Sequence, residues 1–276
     1  LYILTGSGSG GMEAAIVNML SPGDKVLSVS NGVFGDRFAA MATAFGAVVT
    51  SLKFEQGKVD DIDAVKKALD ADPKIKAVLL THNETSTGIT NPLEQLAKLV
   101  KSYDKLLIVD CISSMGSIDV QVDKWGIDVA LSGSQKGWMV PPGLAFAALS
   151  AVAWKAYAIS KMPKFYWDFG KAKSYLEKGQ TPWTPAITVF YALHTSLKLM
   201  QAEGMQNIFA RHAKLGAMTR KGVKDMGLKL LAIDEKYASN TVTAVWPPAG
   251  IDPDKLRKTL RDKSQVVLSG GQGALE

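Results

Sequence analysis

Short apolar runs alternate with longer amphipathic windows through the first half of the chain, the arrangement that strands and crossover helices produce. The runs at residues 1–5, 25–30, 48–54, 77–81, 106–110, 128–132 and 144–149 read as strands. Between them, residues 10–20, 34–45, 60–70 and 93–103 space their apolar positions by three and four, which predicts helices. The turn Ser21-Pro22-Gly23-Asp24 ends the first of these. Such alternation implies a mostly parallel sheet covered on both faces, a three-layer αβα architecture of the α/β class, with ligands at the carboxyl ends of the strands.

From Ala192 the pattern changes to long helical windows at 192–202 and 206–226. They are followed by apolar runs at 228–232, 241–246 and 266–269 and a helix at 252–262, which together predict a smaller C-terminal α+β domain. The division falls near Gly204, giving a large domain at 1–203 and a small one at 204–276. A length of 276 residues fits that count. The chain opens on an apolar strand without methionine and closes on the loop Gly270-Gly271-Gln272-Gly273, so it reads as a piece trimmed at both ends.

Composition narrows the function classes. The 32 basic and 26 acidic residues are scattered, without the clustering that a nucleic-acid surface needs. One cysteine, Cys111, forbids an internal disulfide or a metal–sulfur cluster and suits a reducing, cytoplasmic setting. His82, His194 and His212 are not spaced as metal ligands, so no metal is expected. No apolar run is long enough to cross a membrane.

Three loops carry candidate chemistry. Gly6, Gly8 and Gly11 satisfy the G-x-G-x-x-G spacing between a strand and a helix, where backbone N–H groups can meet an anion; a ligand-free glycine turn has the same pattern. A dinucleotide site would also want a carboxylate at the tip of the second strand, and Asn31-Gly32 stands there. Asp110 ends a buried apolar run, which is costly for a carboxylate unless a cation or several donors meet it. Lys136 follows a buried strand in the small-residue loop Ser132-Gly133-Ser134-Gln135-Lys136-Gly137, a setting for a Schiff-base amine as well as for an ordinary loop lysine. Together, an anion cradle, a buried carboxylate and a lysine match the needs of pyridoxal 5'-phosphate.

With Ser7-Gly8-Ser9, the segment 31–37 (NGVFGDR), the segment 81–88 (THNETSTG), Val109-Asp110, the lysine loop and Thr181-Pro182-Trp183-Thr184-Pro185 in this order, the chain resembles the class V aminotransferases of fold type I. Among them it is most similar to the alanine– and serine–glyoxylate aminotransferases. The resemblance implies that Lys136 forms the Schiff base and moves the proton at the substrate α-carbon, while Asp110 keeps the pyridine nitrogen protonated. It implies that Gly8, Ser9 and Gln135 hold the phosphate, that Thr85 bonds near the 3-hydroxyl and that Phe34 stacks on the ring. Relatives often carry tryptophan or tyrosine at the stacking position. Thr184 would reach the phosphate of a neighbouring subunit, implying a homodimer with its site at the interface.

The implied function is transfer of an amino group from a small amino acid, alanine or serine, to glyoxylate or a similar 2-oxo acid. An arginine for the substrate carboxylate is expected beyond Glu276, and none of Arg211, Arg220, Arg257 and Arg261 obviously replaces it. Arg37 and Glu84 read as a structural ion pair or as caps; His82, Cys111, Trp138 and Trp183 read as structural, although Trp183 could wall the substrate pocket. Other readings are a class V lyase or desulfurase, an NAD-dependent oxidoreductase using the glycine loop, and a non-catalytic subunit of an assembly such as a soluble hydrogenase.

Overall fold

The computed structural model describes residues 1–275. In chain order the first half runs β1 (Tyr2–Gly6), α1 (Gly8–Met19), β2 (Lys25–Ser30), α2 (Val33–Ala44), β3 (Val48–Lys53), α3 (Ile62–Ala71) and β4 (Ile75–Thr81). A short hairpin of β5 (Asn83–Glu84) and β6 (Ile89–Thr90) precedes α4 (Leu93–Ser102), β7 (Leu106–Asp110), α5 (Val122–Trp125), β8 (Val129–Gly133) and β9 (Gly143–Leu149). Helices dominate the rest: α6 (Ala151–Ile159), α7 (Phe169–Leu176), α8 (Ile187–Glu203), α9 (Met205–Asp225) and α10 (Pro253–Ser264).

Seven strands form one sheet in the order β1-β9-β8-β7-β4-β2-β3. All its pairings are parallel except the two that β9 makes with β1 and β8. Because β9 is antiparallel to both neighbours, β1, β7 and β8 point the same way. Their following loops therefore emerge on one edge of the sheet.

The apolar runs are continuous because both faces are covered. Along β4, Ala77 and Leu79 join the core under α1 and α2, while Val78 and Leu80 face the core under α3 and α4. The alternation in β7 is the same, with Ile108 on the first side and Leu107 and Val109 on the second. A third cluster packs Leu193 of α8 on Leu144 and Phe146 of β9.

The sequence pattern and the structure differ at several C-terminal elements. Residues 228–232 and 241–246 do not form strands; one antiparallel bridge joins Leu230 to Val245, flanked by Leu231 N–H to Ala244 O at 2.9 Å and Trp246 N–H to Lys229 O at 2.8 Å. Pro247 and Pro248 follow at once and carry no N–H to extend the ladder, and an isolated two-stranded ribbon is marginal. Residues 266–269 are not a strand either, and Val267 is 78% exposed. Helices α6 and α7 lie outside the helices that the spacing predicts; α6 (AVAWKAYAI) is apolar nearly all round and shows no polar face to mark its period.

Candidate active site

The three chemically marked loops meet at one cavity of about 140 Å³. Gly8, Ser9, Phe34, Thr85, Asp110, Gln135 and Lys136 line it, while Thr184 does not and is exposed on the surface. Met12, Arg37, Asn83, Ile112 and Ser113 complete the wall.

Asp110 closes β7 and is 4% exposed. Among the described residues its carboxylate takes one hydrogen bond, from Ile112 N–H at 2.8 Å. Burial pushes the carboxyl up to about 7; the Ile112 N–H opposes that, the Glu84 charge adds to it, and Lys136 and Arg37 pull the other way. A carboxyl this poorly supplied with donors is suited to a cationic partner entering the cavity.

The lysine loop is held rigid from both sides. Ser134 Oγ donates to Pro141 O at 2.8 Å and accepts from Leu144 N–H at 3.1 Å. Trp138 Nε1 donates to Ser132 Oγ at 2.8 Å, and Ser196 Oγ of α8 donates to Trp138 O at 2.6 Å. A Cβ on Gly137 would lie 2.6 Å from Met115 O, so this glycine is what lets the segment after β7 approach the residue next to Lys136. Trp138 is thus structural, as its sequence context suggests.

At the first loop, helix α1 begins at Gly8 itself, and Ser7 at its N-cap makes no side-chain cap bond. The N–H groups of that first turn are left for a ligand. The glycine spacing has a further cause that the sequence hides. A Cβ on Gly6 would lie 2.5 Å from the Trp167 ring, one on Gly10 2.6 Å from it, and one on Gly8 2.6 Å from Ile112. Gly11 packs against Ala145 of β9. These glycines make room for protein side chains, and the pattern needs no dinucleotide to explain it.

Phe34 stands in the first turn of α2, whose N-cap, Gly32, offers no side chain. The cap comes from β5 and the turn after it. Glu84, fully buried, accepts from Phe34 N–H at 3.0 Å, Gly35 N–H at 3.1 Å, Ser86 N–H at 3.0 Å and Ser86 Oγ at 2.6 Å. Ser86 Oγ accepts from Val33 N–H at 3.0 Å. Glu84 is therefore a cap and forms no ion pair with Arg37. Arg37 instead lies over the Phe34 ring, 4.7 Å from its centre, and lines the cavity. Its position three residues after Phe34 on a helix was the available signal that both share a face.

His82 is buried, its imidazole pushed down to about 4 by burial, and it meets Trp125 edge to face. Burial pushes the Cys111 thiol well up, and its side chain sits in the core under α3 and α4. Trp183 stacks on Tyr166 and donates to Tyr166 O at 2.8 Å, outside the cavity wall. Among the described residues no group of three or more His, Cys, Asp and Glu is arranged to hold a metal ion, and no helix is long and apolar enough to cross a membrane.

The family model for class V aminotransferases matches residues 2–275. A protein of Synechococcus sp. (strain PCC 6716) named soluble hydrogenase, small subunit, is 43% identical over 279 residues, covering 100% of this chain and 72% of its own length. The serine–glyoxylate aminotransferase of Methylorubrum extorquens is 35% identical over 280 residues, covering 98% of this chain and 70% of its own. The crystal structure of alanine–glyoxylate aminotransferase from Nostoc sp. superposes with a TM-score of 0.93 at 32% identity, over 99% of this chain and 71% of that one.

Proposed function

The chain belongs to the class V aminotransferase family, and from that membership we propose that it uses pyridoxal 5'-phosphate to move an amino group from alanine or serine to glyoxylate or a similar 2-oxo acid. The observation that carries the cofactor reading is Asp110: a buried carboxyl with one N–H donor, raised to about 7, on the wall of a cavity shared with a lysine. A protonated pyridine ring resolves its desolvation, and the rest of the wall fits the same group. The glyoxylate acceptor is supported by the two similar aminotransferases, which share glyoxylate in their names and differ in donor.

When bound, the cofactor would supply an electron-withdrawing ring that takes up the electron pair freed at the substrate α-carbon. Asp110 would keep the proton on the ring nitrogen, and Lys136 Nζ would hold the cofactor through its aldehyde carbon and, once released by the amino donor, carry the proton from the substrate α-carbon to that carbon of the cofactor. Phe34 covers one ring face and excludes water from it. Ser9, Gln135 and the α1 N–H groups at Gly8 and Ser9 would hold the phosphate, and Thr85 would bond near the 3-hydroxyl.

Thr184 lies away from this cavity, which supports its serving the site of a second subunit in a homodimer. Exposed Ile187, Tyr191 and Leu199 on α8 give that dimer an apolar surface. The same reading takes residues 204–276 as the smaller domain.

The test is the visible spectrum of the purified protein before and after L-alanine or L-serine, added separately without acceptor. A visible band that bleaches with one of them, and is absent together with turnover in Lys136→Ala, supports the reading and ranks the donors. A protein that stays colourless after added pyridoxal 5'-phosphate overturns it.

A further inference from the structure

One charged side chain of the cavity has no part in the chemistry above. Arg37 donates from Nη1 to Ser9 Oγ at 3.4 Å while its guanidinium carbon lies 4.7 Å from the centre of the Phe34 ring. Among the described residues it has no carboxylate partner. Asp36, beside it, is held by Lys53 at 2.9 Å and by Ser30 Oγ at 2.9 Å. Glu84 spends both oxygens on α2 N–H groups and Ser86. Asp110 feels the Arg37 charge from across the cavity but forms no ion pair with it.

Taken alone, this placement is electrostatically uphill. The first turn of α1 contains no acidic residue, and its N–H groups carry the positive end of the helix dipole. Arg37 adds a full positive charge at Ser9, in that same turn. Lys136 adds another on the same cavity wall. Cations gathered at a helix N-terminus are stabilised when an anion completes the cluster.

We propose that Arg37 is an anion-binding residue of this cavity, its guanidinium held over Phe34 so that it meets the cofactor's phosphate beside Ser9. The inference rests on the cofactor reading given above. The aromatic ring below the guanidinium limits its rotamers, so little freedom is lost when the ligand arrives. Ser9 Oγ uses a lone pair to accept from Arg37, which leaves its own hydrogen to donate to the same anion. A substrate carboxylate is the other anion such a site could take. The shared contact with Ser9 at the end of α1 selects the phosphate.

The experiment compares pyridoxal 5'-phosphate with pyridoxal, which has the same ring and aldehyde but no phosphate. Both are titrated into the cofactor-stripped wild type, Arg37→Met and Arg37→Lys, with quenching of intrinsic fluorescence as the readout and inorganic phosphate as competitor. Losing a charge-assisted bond predicts roughly 10- to 100-fold weaker binding of pyridoxal 5'-phosphate to Arg37→Met. Pyridoxal should bind wild type and variant alike, Arg37→Lys should fall between, and phosphate should compete in the wild type far better than in Arg37→Met. Equal losses for both ligands would place Arg37 in the ring-stacking wall only and overturn the proposal. So would an unchanged affinity accompanied by a raised KM for the amino donor, which would assign the guanidinium to the substrate carboxylate. A wild type that binds both ligands equally overturns the inference but leaves the cofactor reading intact; one that binds neither overturns both.

Discussion

Glu84 and Phe34 are joined across the fold: the buried carboxylate on β5 accepts the Phe34 backbone N–H at 3.0 Å and so fixes the turn of α2 that presents the ring. The helix cannot supply this cap itself, because a Cβ on Gly32 would lie 2.5 Å from Glu84 Cγ. Glu84→Ala leaves several buried donors unmet and should cost about 3 kcal/mol in urea unfolding, with weaker cofactor binding as Phe34 loses its support. Glu84→Gln should cost less, since its amide oxygen can still accept from α2 while its NH2 group faces the Ser86 donors. An unfolding midpoint for Glu84→Ala equal to that of wild type would remove the capping account.

Asp110 should show opposite effects on binding and on stability. Asp110→Asn removes the charge that a ring N–H would meet, and affinity for pyridoxal 5'-phosphate should fall on the order of 10- to 100-fold. The cofactor-free variant should be more stable than cofactor-free wild type at pH 8, because an ionised, buried and poorly paired carboxylate is replaced by a neutral amide. Calorimetry of both cofactor-free proteins and a cofactor titration test the two halves separately. A variant less stable at pH 8 would mean that the carboxylate is better compensated than its single Ile112 bond indicates.

Sequence and structure agree where the signal is local or periodic. Leu106–Asp110 is legible as a buried strand because both faces of β7 are apolar, and the placement of Gly8, Asp110 and Lys136 at the carboxyl ends of strands follows from strand-helix alternation alone. What escapes depends on partners distant in sequence. Residues 241–246 carry the pattern of a strand but pair along the backbone only with 228–232, and a pattern cannot report that a ladder lacks further members. Arg37 is exposed, and only Phe34 and Ser9 beside it reveal that it also lines the cavity. The glycines of the first loop look like ligand glycines, although a Cβ would meet Trp167 at Gly6 and Gly10, Ile112 at Gly8 and Ala145 at Gly11, all more than 100 residues later.

The Gly10–Trp167 contact can be measured by coupling. A Cβ on Gly10 would lie 2.6 and 2.7 Å from Trp167 ring atoms, and overpacking of this kind costs roughly 1–3 kcal/mol. Helix propensity favours alanine over glycine by about 1 kcal/mol, so the net loss in Gly10→Ala should be modest. Trp167→Phe removes the obstructing ring and should make the same substitution neutral or stabilising. A double-mutant cycle by denaturant unfolding should therefore give a coupling of about 1 kcal/mol or more. Strict additivity would show that the indole moves aside freely.

Stability should fall as pH rises above neutrality, and Asp60 is the main cause. It is 1% exposed, neither carboxyl oxygen has a hydrogen-bond partner, and burial, then the nearby Glu84 charge, raises it from 3.8 to about 8. Between those values the folded chain keeps a proton that the unfolded chain has released, so stability declines with pH across the window, by about 1.4 kcal/mol per unit where the difference is one full proton. His82 works in the opposite sense: lowered from 6.5 to about 4 by burial, it makes stability rise with pH, but only below 6.5. Asp110, raised to about 7, adds to the decline up to neutrality when the cavity is empty. Between pH 7 and 8 His82 contributes nothing, and Asp110, already about half ionised at pH 7, adds a smaller decline than Asp60. Asp60→Asn should remove most of the slope in that interval and leave the variant a few kcal/mol more stable than wild type at pH 8. Urea unfolding at pH 6, 7 and 8 decides it: parallel profiles for the two proteins would mean that Asp60 is ionised in the folded state and has a partner that the structure does not show.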